Sequence, residues 1–96
     1  MHIPANFDVE DDEHVGTRYA EEVDEFCAAM KNKLMRRAHK GDFMLESLFD
    51  LAEGLCAEVD ELQTELDFGT PERAMDESID VANYALFIYH KSMQNL

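Results

Sequence analysis

Basic residues are scarce in this chain: eight lysines and arginines stand against 22 aspartates and glutamates, a formal net charge of −14 over 96 residues. With that balance no direct binding to a nucleic acid backbone is expected, because like charges repel. There is no tryptophan, and there are only four glycines, none forming the Gly-rich loop that cradles phosphates. The two cysteines, Cys27 and Cys56, make no CxxC pair, which removes the common zinc and redox motifs. In a reducing compartment they are expected to be buried core thiols, with a disulfide as the alternative. No apolar run reaches bilayer length and no apolar signal segment opens the chain, so a soluble cytoplasmic protein without a membrane partner is expected. What is present is a 46% share of apolar residues, enough for a folded chain despite the charge. One small domain of this length buries a modest share of its surface, and self-association is therefore expected.

Residues 1–16 carry an acidic run without helical period and read as a mobile or loosely docked arm. Residues 17–96 then form an all-α domain. Tyr19, Val23, Phe26, Cys27, Met30 and Leu34 recur at three and four, with Thr17 as N-cap and an end near Lys40-Gly41. Asp42 is placed to cap a second helix with the stripe Leu45, Leu48, Phe49, Ala52, Leu55, Cys56, Val59, Leu62 and Leu66, ending at Phe68-Gly69. Thr70-Pro71-Glu72 starts a third, whose stripe is Met75, Ile79, Ala82, Leu86, Tyr89 and Met93. Its stretch "VANYALFIY" (81–89) has Asn83 as its one strongly polar residue and is apolar nearly all round. Such a helix needs cover on several sides, which points to a helical hairpin plus an N-terminal helix assembling into a dimeric or tetrameric bundle.

Acidic residues are placed symmetrically about Gly69. Glu58 lies eleven residues before it and Asp80 eleven after; Glu61 lies eight before and Glu77 eight after. Across a tight hairpin, equal distances from the turn become equal heights, with Glu58 and Asp80 roughly 16 Å up at 1.5 Å per residue. Spacing i,i+3 puts both members of each pair on one helix face. Seven acidic i,i+3 pairs occur in so acidic a chain, including Glu21/Asp24 and Asp50/Glu53, so spacing by itself does not select a site. The matched height and the apolar neighbours do. Glu58 lies between Leu55 and Leu62, and Glu77 precedes Val81 and Tyr84, so these acids lose solvation and repel unless a cation neutralises them. Oxygen-only ligands favour Mg²⁺, with Mn²⁺ as a substitute. None of His2, His14, His39 and His90 falls in the pairs, which sets a Glu-x-x-His di-iron site aside.

"AEVDEL" (57–62), followed after a short turn by "DESIDVANYAL" (76–86), resembles the ExxE…ExxD signature of the MazG-type all-α nucleoside triphosphate pyrophosphohydrolases. "KLMRRAHKGDF" (33–43) is similar to a segment of small members of that superfamily, and the resemblance spans roughly residues 19–91. It implies a helical dimer or tetramer that binds Mg²⁺ and splits nucleoside triphosphates into monophosphate and pyrophosphate. Relatives act on dUTP, dCTP, damaged nucleotides or phosphoribosyl-ATP. By position, Glu58, Glu61, Glu77 and Asp80 become the metal ligands, Asn83 and Tyr84 nucleotide contacts, and Phe43 an aromatic against the base. The chain departs from the pattern in three places. Asp60 stands where glycine is common, no tryptophan is available for stacking, and the chain ends five residues after Lys91, without the basic C-terminal segment of longer relatives.

Independently of any family, phosphoryl attack needs neutralised oxygens, an oriented water and a stabilised leaving group. Glu61 is the favoured residue for the water. Lys33, Arg37, Lys40 and Lys91 are the candidates for pyrophosphate; the first three belong to a basic cluster (Lys31, Lys33, Arg36, Arg37, Lys40) that otherwise complements a helix C-terminus. The competing reading is a small acidic helical module without catalysis that imitates DNA or binds a basic protein partner. The charge suits it; the apolar flanks of the four acids do not.

Overall fold

The structure, a computed structural model, describes the backbone of residues 5–96 and the side chains of residues 12–96. It consists of α1 (Ala5–Arg37), two single 3₁₀ turns (Ala38–Lys40 and Phe43–Leu45), α2 (Leu48–Phe68) and α3 (Pro71–Gln94), and no strand occurs among the described residues.

The first helix starts earlier than expected. Residues 5–16 continue α1 rather than forming a separate arm, and residues 1–4 lie outside the described residues. Thr17 is not an N-cap: its hydroxyl donates to the Glu13 carbonyl at 3.2 Å, the i−4 bond a threonine makes inside a helix. Arg36 and Arg37 sit in the last turn of α1, where cations suit the carbonyl end. Gly41, at φ 116°, supplies a backbone conformation that side chains disfavour and turns the chain towards α2.

The cap of α2 is Ser47, whose Oγ accepts from the Asp50 amide at 3.1 Å. Asp42 caps the short Phe43–Leu45 turn instead, accepting from the Met44 amide at 2.9 Å. The start of α3 is as the sequence reads: Thr70 Oγ1 accepts from the Arg73 amide and Pro71 follows it.

α2 and α3 pack along the hairpin, and α1 covers a second side of α3. Within 81–89, Ala85 and Tyr89 alone are exposed. The faces turned inward differ in part from the expected stripes. Of those stripes, Leu48, Leu55 and Leu62 on α2 and Ile79, Ala82 and Leu86 on α3 are half-buried, but Leu51, Gly54, Glu58 and Glu65 share the inward side of α2, and the most buried positions of α3 are Asp80, Asn83 and Phe87. Phe49 (72% exposed), Val59, Leu66 and Met75 (67%) face outward, as do Tyr19, Val23 and Phe26 on α1. Cys27 and Cys56, expected in the core, are exposed free thiols on these outward faces. The physical reason is common to all of them: the interior of the single chain is given over partly to polar groups, so apolar stripes are left outside.

Candidate functional site

The hairpin brings Glu58 of α2 together with Glu77 and Asp80 of α3. One carboxylate oxygen from each lies within 4.8 Å of the other two. Glu61 is exposed at the edge of this group, close enough to share hydrogen bonds with Glu58 and Glu77 when one of them is protonated. Equal height on an antiparallel hairpin joins Glu58 to Asp80, and i,i+3 spacing on α3 sets Glu77 beside Asp80, whereas Glu61, expected opposite Glu77, stays outside the cluster.

Their electrostatics are uneven. Burial, the hydrogen bond with Glu61 and the Asp80, Glu61 and Glu77 charges push the Glu58 carboxyl up to about 7. Burial and Glu61 also hold Glu77 above the usual carboxylate range, with the Asp80 charge adding to them and a hydrogen bond to Glu58 opposing them. Glu58 Oε2 and Glu77 Oε2 are buried without a hydrogen-bond partner. Asp80 is compensated. Its Oδ1 is ion-paired with Lys33 Nζ at 2.8 Å and accepts a hydrogen bond from Arg37 Nη1 at 3.3 Å, both from α1.

Beside the carboxylates opens a cleft of about 230 Å³, lined by Leu34, Arg37, Lys40, Phe43, Asp80, Asn83, Tyr84 and Phe87. Phe43 stacks on Phe87 at 4.6 Å between ring centroids, and Tyr84 meets both rings edge-on, at 5.9 and 5.6 Å. Asn83, 5% exposed, donates Nδ2 to the Met30 carbonyl at 3.4 Å, and its Oδ1 is buried without a partner. The Tyr84 hydroxyl is held above its ordinary value by burial and by the Glu46 and Glu58 charges. Gly54 makes room for this ring: a Cβ there would come 2.7 Å from Tyr84 Cζ, well inside van der Waals contact.

Of the seven residues expected to contact substrate, Arg37, Lys40, Phe43, Asn83 and Tyr84 line this cleft. Lys33 and Lys91 do not. Lys33 is 9% exposed and fully engaged by Asp80 and Asp76; Lys91 donates to the Met44 carbonyl at 2.9 Å, tying the Phe43–Leu45 turn to α3. Sequence reasoning missed Phe87, Gly54 and Asp76. The first lies seven residues from Asp80 and the third four before it, on the same helical face, so the periodicity that found Asp80 also reaches them. Gly54, a glycine inside a helix, is costly enough to signal a close approach.

Compared with known proteins, the chain matches no family model, no curated protein and no solved structure. No helix among the described residues is long and apolar enough to cross a membrane.

Proposed function

We propose that the protein is a Mg²⁺-dependent nucleoside triphosphate pyrophosphohydrolase that releases nucleoside monophosphate and pyrophosphate, a house-cleaning activity on the nucleotide pool. The observation that carries this reading is a carboxylate group with buried, unpartnered oxygens opening beside a cleft that offers both guanidinium and aromatic walls. A solvated acidic face, as a DNA mimic needs, leaves no carboxylate oxygen buried and bare. The donor set fits a hard divalent cation: Glu58, Glu77 and Asp80 would hold it, with Glu61 at the edge. Bound there, Mg²⁺ (or Mn²⁺) would neutralise phosphate oxygens and lower the pKa of water.

The remaining work falls to the chain's own groups. Phe43, backed by the Phe87 ring stacked beneath it, offers a base its other face, and Tyr84 borders the cleft. Arg37 and Lys40 offer charge-assisted hydrogen bonds to the phosphates and to the departing pyrophosphate. Glu61 Oε accepts the proton of the attacking water, a role consistent with its position outside the three-oxygen cluster. Attack at the α-phosphorus is what the resemblance of the sequence to the MazG-type pyrophosphohydrolases implies, and the products distinguish it from γ-transfer.

A dimer or tetramer is part of the same proposal. The accessible surface is 7442 Å², against roughly 5,600 Å² for a compact monomer of this mass. The outward apolar stripes of α1 and α2 are exposed in the single chain, and a partner copy is the natural cover for them.

A panel of ribo- and deoxynucleoside triphosphates incubated with Mg²⁺, and again with chelator, tests the reaction. Monophosphate and pyrophosphate from at least one of them, in the Mg²⁺ arm alone, is the expected result. Diphosphate and orthophosphate as main products overturn it.

A further inference from the structure

Lys33 is a buried cation enclosed by acceptors. Its side chain, 11% exposed, crosses from α1 to α3, and three acceptors surround Nζ: Asp80 Oδ1 at 2.8 Å, Asp76 Oδ1 at 2.9 Å and the Asp76 carbonyl at 3.2 Å. An ammonium has three N–H donors, and here two hydrogen bonds to Asp76 and the ion pair with Asp80 occupy them. Such a group has nothing left for a phosphate. Arg37, on the next turn of α1, is different: it reaches the same Asp80 oxygen at 3.3 Å, its side chain is 37% exposed, and it lines the cleft.

Both cations therefore meet Asp80 at Oδ1, which leaves Oδ2 as the oxygen that no hydrogen bond claims. A carboxylate pinned by one oxygen has its second oxygen's direction fixed. Asp80 is nine-tenths buried and sits beside Glu58 and Glu77, whose charges repel it. Without a fixed cation behind it, such a carboxylate turns towards whichever cation is nearest. Asp76 matters for the same reason. It lies one turn before Asp80 on α3 and holds Lys33 from the far side, so the ammonium cannot follow Asp80 into the cluster.

We propose that Lys33 is a positioning residue for the carboxylate site: held between Asp76 and Asp80, it fixes the Asp80 carboxylate so that its free oxygen is presented, with Glu58 and Glu77, to a divalent cation. The inference rests on the metal-site reading given above. It assigns the two α1 cations separate tasks, Lys33 to the protein's carboxylates and Arg37 to the ligand in the cleft.

Mn²⁺ titration followed by electron paramagnetic resonance, on chelator-treated protein, distinguishes this from a simple charge effect because the signs are opposite. Lys33→Met removes a positive charge next to the site while keeping most of the stem's packing. Coulomb repulsion alone then predicts tighter Mn²⁺ binding, whereas loss of positioning predicts binding weaker by about 10- to 100-fold, the usual cost of losing a hydrogen bond that orients a metal ligand. Lys33→Arg keeps the charge, but a planar guanidinium cannot satisfy the three acceptors that surround an ammonium. Charge alone predicts no change for it, and positioning predicts a loss of at least about tenfold. Circular dichroism checks that each variant is folded, and the arginine variant decides the matter should the methionine variant not fold. Weaker Mn²⁺ binding by folded Lys33→Arg or Lys33→Met is the expected result. Mn²⁺ binding lost in Glu58→Gln but unchanged or tightened in the folded Lys33 variants overturns the positioning role and leaves the metal site standing. No Mn²⁺ binding by the wild-type chain overturns both.

Discussion

Glu58 and Asp80 belong to one cluster and have opposite electrostatic environments, so neutralising them should have opposite effects. Glu58 has a buried oxygen with no partner and a carboxyl raised to about 7 by burial, by Glu61 and by neighbouring charge. Glu58→Gln should raise the melting temperature of the chelated protein at pH 8. Asp80 is the counter-ion of a buried lysine, which Asp76 alone would then have to satisfy. Asp80→Asn should lower the chelated protein's stability by about 1–3 kcal/mol, as losing one partner of a buried charged hydrogen bond does. Asp50→Asn and Glu53→Gln, from an exposed pair, should change neither. A pH dependence follows from Glu58. Its folded-state pKa lies above the unfolded one, so the folded chain holds a proton that the unfolded chain releases. This contribution to stability is full below about pH 4.5 and is lost as pH rises through about 7. Urea titrations in chelator should show that decline in the wild type and a flatter profile in Glu58→Gln. The meeting of Glu58, Glu77 and Asp80 was legible because spacing about a tight turn fixes the height of Glu58 and Asp80, and i,i+3 spacing sets Glu77 beside Asp80. The binding of Asp80 by Lys33 was not, because it depends on how α1 crosses the hairpin, and no periodicity reports that.

At the scale of elements, helix number, the hairpin and the Thr70-Pro71 start were readable from local chemistry that acts within four residues. The start of α1 was not. A threonine after a glycine has the composition of a cap, but the same hydroxyl bonds back to Glu13 once the helix runs through it. The cap of α2 was misplaced because Asp42 and Ser47 are both good caps, and Asp42 is used by the intervening 3₁₀ turn. The inward faces were misread for a reason tied to the site: Asp80 and Asn83 occupy the buried side of α3, where a purely apolar stripe is the usual expectation. Gly54 tests this placement. Gly→Ala inside an exposed helix gains up to about 1 kcal/mol, and Gly16→Ala, where nothing lies within 4 Å, should show that gain. Gly54→Ala should not, because its Cβ meets the Tyr84 ring. Helical content should be kept while affinity for a bound nucleoside triphosphate falls by about tenfold. Equal stabilisation by both substitutions, measured by thermal unfolding, would show that Tyr84 does not lie against α2.

For the whole molecule, the outward Tyr19, Val23, Phe26, Phe49 and Val59 are the ground for the proposed partner copy. Light scattering at micromolar concentration should give at least a dimer, and a stable monomer would refute that assembly. Mg²⁺ at one hundred times its Kd should stabilise the wild type by about 2.7 kcal/mol and Glu58→Gln much less. If these carboxylates serve attack on the α-phosphorus of a nucleotide, the oxygen of the attacking water must end in the monophosphate. Turnover of a hydrolysed nucleoside triphosphate in ¹⁸O-water with Mg²⁺ should place the label in the monophosphate and none in pyrophosphate. Label in pyrophosphate or orthophosphate, or turnover that survives Glu58→Gln undiminished, would contradict it.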